Sequence, residues 1–109
     1  MYRRIRLWTA PSDNSWKLDE VQVLRTPAER LRGFVGSPVM LFTRSIHTFT
    51  MRHPLSIVVL NRAGTVVQAR VIDPRRLTTF TATMWVVETH VTDDMPLPGT
   101  RVRAFNASE

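Results

Sequence analysis

The side chains with the most chemical character fall in two short stretches. "IHTFTMRHPL" carries His47 and His53 six residues apart, with Met51 and Arg52 between them. "MWVVETH" sets Glu88 among apolar neighbours. Two imidazoles suggest a metal, and a carboxylate near an imidazole suggests proton transfer or a polar contact to a ligand. Spacing argues against the metal. On an unbroken strand six residues span about 20 Å, whereas zinc holds its nitrogen ligands at about 2.0–2.1 Å. Only a sharp bend, or His90 arriving from another strand, would bring the ligands together. With no cysteine in the chain and few acidic residues near the histidines, no metal and no cofactor is expected.

Other chemistries lack their signatures. No G-x-S-x-G elbow accompanies the serines, and neither G-x-G-x-x-G nor G-x-x-x-x-G-K occurs. A glycosidase needs two facing carboxylates, and only Glu88 is placed for burial. No catalytic residue is assigned. Strand alternation puts His47, Phe49 and Met51 on one, core-like face and Thr48, Thr50 and Arg52 on the other. A histidine on such a face is expected first as a structural imidazole bonded to a backbone carbonyl, and second as a ligand contact. Glu88 shares its face with Met84 and Val86, opposite Trp85 and Val87. It must find a partner or raise its pKa toward neutrality. The candidate partners are Arg32, Arg52, His47 and His53. The plainer expectation is an ion pair between strands. The sharper one is a small pocket where Glu88, His47 and Arg52 converge beside the segment Gly33 to Gly36. The ligand-binding candidates are therefore His47, Phe49, Met51, Arg52 and Glu88.

The elements that must position these residues are short. "YRRIRLW" alternates, with Tyr2, Arg4, Arg6 and Trp8 on one side and Arg3, Ile5 and Leu7 on the other. After the turn cluster "APSDNS", "WKLDEVQVL" reads as extended, with Val21 and Val23 on one face. "TPAERLRG" predicts a two-turn helix over Pro27 to Arg32. Thr26 caps it, Pro27 needs no N–H partner, Glu29 bonds back to the cap, and Gly33 ends it. Gly36 belongs to the turn that follows. "VMLF", "IHTFTM", "LSIVVL", "TVVQARVI", "MWVVETHV" and "TRVRAF" read as strands, "LSIVVL" covered on both faces. "NRAG" is a hairpin connection in which Gly64 supplies the positive φ. "DPRR" and "MPLPG" are turns, and the threonine-rich "RLTTFTAT" is ambiguous. Many short strands separated by turns indicate a mainly β fold, an antiparallel sandwich or small barrel with one short helix.

The 109 residues suit a single domain spanning 1–109. The formal charge is +6, and fourteen of the fifteen basic residues are arginine. Such a surface attracts phosphate backbones, although the arginines are scattered and not clustered. "YRRIRLW" is the best nucleic-acid candidate, a stripe of Tyr2, Arg4, Arg6 and Trp8. Its plainer reading is an edge strand guarded by arginines. Arg101 and Arg103 form a similar stripe, and Trp16 and Trp85 are expected as core anchors. The first thirty residues hold no apolar run of signal-peptide length, and the longest run, Ile57 to Leu60, is far below the ~20 residues of a membrane helix. A cytoplasmic protein without membrane insertion is the expectation.

Several motifs then align in order: "RTPAERLRGFVG", "MLF", "IHTFTMRHPLSIVVLNRAGTVV" and "VVE". Together they resemble the domain of unknown function 192 family of bacteria and archaea. The likeness runs from about Val21 to Val102, leaving an added N-terminal strand. It implies a jelly-roll or barrel-like β fold with one short helix, and no particular activity. Ser56 stands where the family usually has aspartate, Thr50 where longer members carry tryptophan, and Val35 near the family's methionine. No glycine follows Glu88 at the usual place. If the aspartate bound a cation or carried a reaction, this chain has lost that role.

The reading that follows is a small accessory module that binds a ligand or partner protein without catalysis. Two alternatives stay open: a basic nucleic-acid-binding protein, and an enzyme using Glu88 with a histidine.

Overall fold

The computed structural model describes residues 3–10, 15–32, 34, 36–49, 51–92 and 94–106. Tyr2, Gly33, Val35 and Thr50, the side chain of Arg32, and most of the "APSDNS" turn lie outside them. The elements in chain order are β1 (Arg3–Trp8), β2 (Lys17–Leu24), α1 (Pro27–Arg32), β3 (Val39–His47), β4 (Leu55–Leu60), β5 (Val66–Ile72), β6 (Leu77–His90) and β7 (Arg103–Asn106). The strands form one sheet in the order β5-β4-β6-β3-β2-β1-β7. The mainly β expectation holds. One neighbouring pair, β2 and β3, runs parallel because α1 carries the chain back between them.

The sheet curls until its ends meet. The Val66 N–H donates to the Thr100 carbonyl and the Val102 N–H to the Gly64 carbonyl, both at 2.8 Å. Thr65 and Arg101 form an antiparallel bridge there. Gly64 has φ +86°, and a Cβ on it would stand 3.1 Å from the Val102 carbonyl oxygen. Only glycine suits both the hairpin and this approach. The hairpin is further held by Asn61, whose side-chain oxygen accepts from the Ala63 and Thr65 N–H groups at 2.9 and 3.0 Å.

Curling gives each strand of the middle two different surroundings. Inside, Leu7, Val21, Met40, Val58, Leu60 and Val87 share one cluster. Outside, Val39, Leu41, Leu55, Ile57, Val59 and Val86 share another, with Phe34 among them. Every residue of β4 is buried, as a strand covered on both faces must be. α1 forms where its capping signals place it. The Glu29 N–H donates to Thr26 Oγ1 at 3.1 Å, and Glu29 Oε1 accepts from the Thr26 and Arg25 N–H groups at 3.0 and 2.9 Å. Those bonds hold the Glu29 pKa below its ordinary value.

Three expectations change. The segments "RLTTFTAT" and "MWVVETHV" are one fourteen-residue strand, β6, whose pairing with β3 shifts register between Thr43 and Ser45. Thr43 Oγ1 stabilises that bulge, donating to the Ser45 carbonyl at 2.8 Å. β1 is not an edge, since β2 and β7 flank it. "IHTFTM" is not a strand: β3 stops at His47 and the chain turns.

The cause of that stop is Thr48. Its hydroxyl donates to the Asp73 carbonyl at 2.7 Å and accepts from the Arg76 N–H at 2.9 Å. Its N–H donates to the Arg76 carbonyl, and its carbonyl accepts from Arg75 and Met51. All its polar groups are occupied by the turn after β5 and by its own chain, so Thr48 is buried and the alternation breaks there.

Candidate functional site

A cleft of about 70 Å³ opens on the outer face of the sheet. β3 contributes Leu41, Thr43, Ser45, Ile46 and His47, β4 contributes Leu55 and β6 contributes Glu88. Arg30 of α1, Phe34 and Met51 complete the wall. The bulge in β3 keeps Ile46 on the same side as Val39 and Leu41, which it would otherwise leave.

Glu88 is the chemically distinctive member. It pairs in register with Val39 on one side and Ile57 on the other, and both are fully buried. Glu88 itself is 4% exposed. Burial pushes its pKa up to about 7, partly offset by a hydrogen bond from the Phe34 N–H. Among the described residues no ion pair reaches it; the salt bridges are Arg4–Glu20 and Lys17–Asp19, both at the surface. Of the two fates open to a carboxylate in apolar company, the structure gives this one a raised pKa. At neutral pH it is a mixture of acid and carboxylate, able to donate or to accept.

The other expected site residues divide. His47 and Met51 line the cleft with Glu88. His47 is half-buried, and its Nδ1 is buried without a hydrogen-bond partner among the described residues. The structural imidazole bonded to a carbonyl is therefore not found at that nitrogen. Phe49 is 55% exposed and stacks on the His47 ring with centroids 5.1 Å apart, so it covers the histidine from outside and lines no cleft wall. Arg52 and His53 are exposed in the turn and do not converge on Glu88. Both displacements follow from the turn at Thr48.

Three contributors were missed. Among the described residues Phe34 supplies the backbone donor to Glu88, yet "GFVG" advertises nothing beyond a turn. His90 faces outward with Glu88, two residues on, and its Nε2 lies 2.9 Å from the Gly36 carbonyl. Its ring meets the edge of Phe34 at 5.0 Å. It thereby holds the segment that brings Phe34 to the carboxyl. Gly36, with φ +104°, makes that turn. Arg30 is the third, one turn into α1. Ser56, where aspartate was expected from the resemblance, is buried and accepts from the Thr92 N–H at 3.2 Å. No group of three metal-ligating side chains is assembled among the described residues, and no described helix is long and apolar enough to cross a membrane.

Fold and cleft together define a small, barrel-like β domain with a buried carboxyl opening on its outer face. Among solved structures it is similar to a protein of unknown function from Novosphingobium aromaticivorans DSM 12444, with a TM-score of 0.65 and 15% identity over 94% of this chain and 84% of that one. It is also similar to a "putative transcription regulator" from Sinorhizobium meliloti 1021, with a TM-score of 0.58 and 20% identity over 95% and 94%. At such identities the likeness is one of fold. No family model and no curated protein matches the chain.

Proposed function

We propose that the protein is a binding module whose outer cleft receives one small polar group, an amine or an amide, from a ligand or a partner protein. The observation that carries this reading is Glu88: a carboxyl buried between Val39 and Ile57, bonded to one backbone N–H, with its remaining hydrogen-bond capacity at the cleft wall. No bond is formed or broken in this role. The ordered motifs that resemble the domain of unknown function 192 family support the same uncharacterised class of β domain. An acid–base enzyme would need a histidine bonded to Glu88, whereas His90 turns to Gly36 and His47 Nδ1 bonds to nothing described.

The test is an NMR titration with propylammonium and with acetamide. Chemical-shift changes should centre on the Phe34 and Glu88 amides, and Glu88→Gln should abolish the response to the cation while keeping the native fold, seen as an otherwise unchanged amide spectrum. An unchanged response in the folded variant overturns the reading.

A nucleic-acid role has one observation in its favour. On the outer face of β1 and β7, Arg6 stands opposite Phe105 and Trp8 opposite Arg103. Trp8 and Phe105 are 41% and 54% exposed, with ring centroids 5.3 Å apart. Exposed aromatics between arginines are what a single strand stacks on. Binding of a short oligothymidylate should then weaken steeply from 50 to ~200 mM salt and be lost in Trp8→Ala. A flat salt response excludes it.

A further inference from the structure

The inner face of the sheet holds a second opening, separate from the Glu88 cleft. It measures about 300 Å³ and lies at one end of the barrel-like interior. Strands β1 to β4 and β6 line it with Leu7, Val23, Met40, Leu60 and Trp85, and Val102 with Ala104 closes the far side. Openings of this size at the mouths of β-barrels are where small molecules bind, and an apolar lining offers little to hold water.

The rim is not apolar. Arg25, just past β2, and Arg62, in the β4–β5 hairpin, both border the opening and both are exposed. No carboxylate among the described residues forms a salt bridge with either. Glu29, which follows Arg25 closely in the chain, directs its carboxylate to the backbone N–H groups of Arg25 and Thr26. Arg62 is held in place: its guanidinium carbon lies 5.7 Å from the centroid of Phe42, whose ring packs on Trp85 at 4.8 Å. This ladder of cation, Phe42 and Trp85 fixes a positive charge beside the apolar wall.

We propose that this opening is a binding site for a small amphipathic carboxylate, its apolar body among Leu7, Met40, Leu60 and Trp85 and its carboxylate between Arg25 and Arg62. Charge decides the class of ligand. An apolar cavity alone accepts any hydrophobe, whereas two unpaired guanidinium groups favour an anionic head and repel a cationic one. Gly64 matters here too, since a side chain at the hairpin would crowd the same rim.

The probe is octanoate, titrated into the full chain and followed through the Trp85 indole N–H and the Leu60 and Val102 amides. Saturable one-to-one binding is expected at those resonances, with octylammonium weaker by about tenfold or more. The double variant Arg25→Ala/Arg62→Ala should lose octanoate by a similar factor while keeping its affinity for octanol. Ala104→Trp, a change at an exposed position on the rim, should block both. The proposal is overturned if octanoate and octylammonium bind alike, if loss of both arginines changes nothing, or if the shifts centre on Trp8 and Phe105 instead.

Discussion

Adjacent residues of β4 and β6 face two different interiors. Outside, Ile57 and Val86 belong to the packed apolar cluster, and Leu55 and Glu88 of the same two strands line a cleft of about 70 Å³. Inside, Leu60 and Trp85 border an apolar opening of about 300 Å³ with the arginines Arg25 and Arg62 at its rim. The outer side is tightly filled and polar at its centre; the inner side is roomy and polar at its edge. Desolvation explains the difference in behaviour. A charge at a rim keeps its water, while a carboxyl between Val39 and Ile57 gives up water and is driven toward its neutral form.

The contrast can be broken most sharply by truncating β4 on each side. Ile57→Ala removes a fully buried side chain from the packed outer layer and should cost about 3–5 kcal/mol in urea denaturation. Leu60→Ala, beside space that already exists, should fall at the lower end, about 2–3 kcal/mol. The opposite order would mean that the inner space is filled.

The carboxyl gives the next largest effect. The folded pKa of Glu88, about 7, stands above the unfolded value of 4.5, so the native state binds the extra proton between those limits. Stability attributable to Glu88 is therefore full below pH 4.5 and declines as pH rises through 7, by about 3 kcal/mol in all. Glu88→Gln should flatten that slope and exceed the wild type in stability at pH 8. Glu29 behaves oppositely. Its lowered pKa adds stability above its unfolded value that is lost on acidification. Denaturation at pH 5 and 8 of wild type and Glu88→Gln measures the first effect directly, and an identical slope in both would remove Glu88 as its source.

Smaller effects test the frame that separates the two sides. Gly64→Ala puts a Cβ against the Val102 carbonyl in a left-handed conformation and should cost about 1–2 kcal/mol. Thermal melting should show it, with faster amide exchange at Val66 and Val102. Thr26→Ala removes the cap of α1, the helix that supplies Arg30 to the outer cleft, for about 1 kcal/mol. The exposed Arg4–Glu20 pair, at 3.1 Å, sets the lower bound: Glu20→Ala should change stability by less than about 0.5 kcal/mol.

How much of this was legible in the sequence depends on range. The cap at Thr26, the hairpin at Asn61–Gly64, the two-faced burial of β4 and the inward turn of Ile5 and Leu7 are written in neighbours a few residues apart. The position of Glu88 on an apolar face was legible in the same way. That no cation among the described residues pairs with it was not, because Arg52 departs with a turn that the alternation of "HTFTM" conceals.

Local periodicity and turn chemistry thus determined which segments extend, where the helix begins and which strand is buried on both faces. The tertiary structure alone decided that Thr48 stops β3, since its partners Asp73 and Arg76 lie more than twenty residues away. It alone decided that the sheet closes at Gly64 and Val102, creating an inside and an outside. The physical reason is that backbone preference acts within a turn or two of chain. The satisfaction of a buried hydroxyl, the desolvation of a carboxyl and the shape of a void depend instead on atoms that only folding brings together.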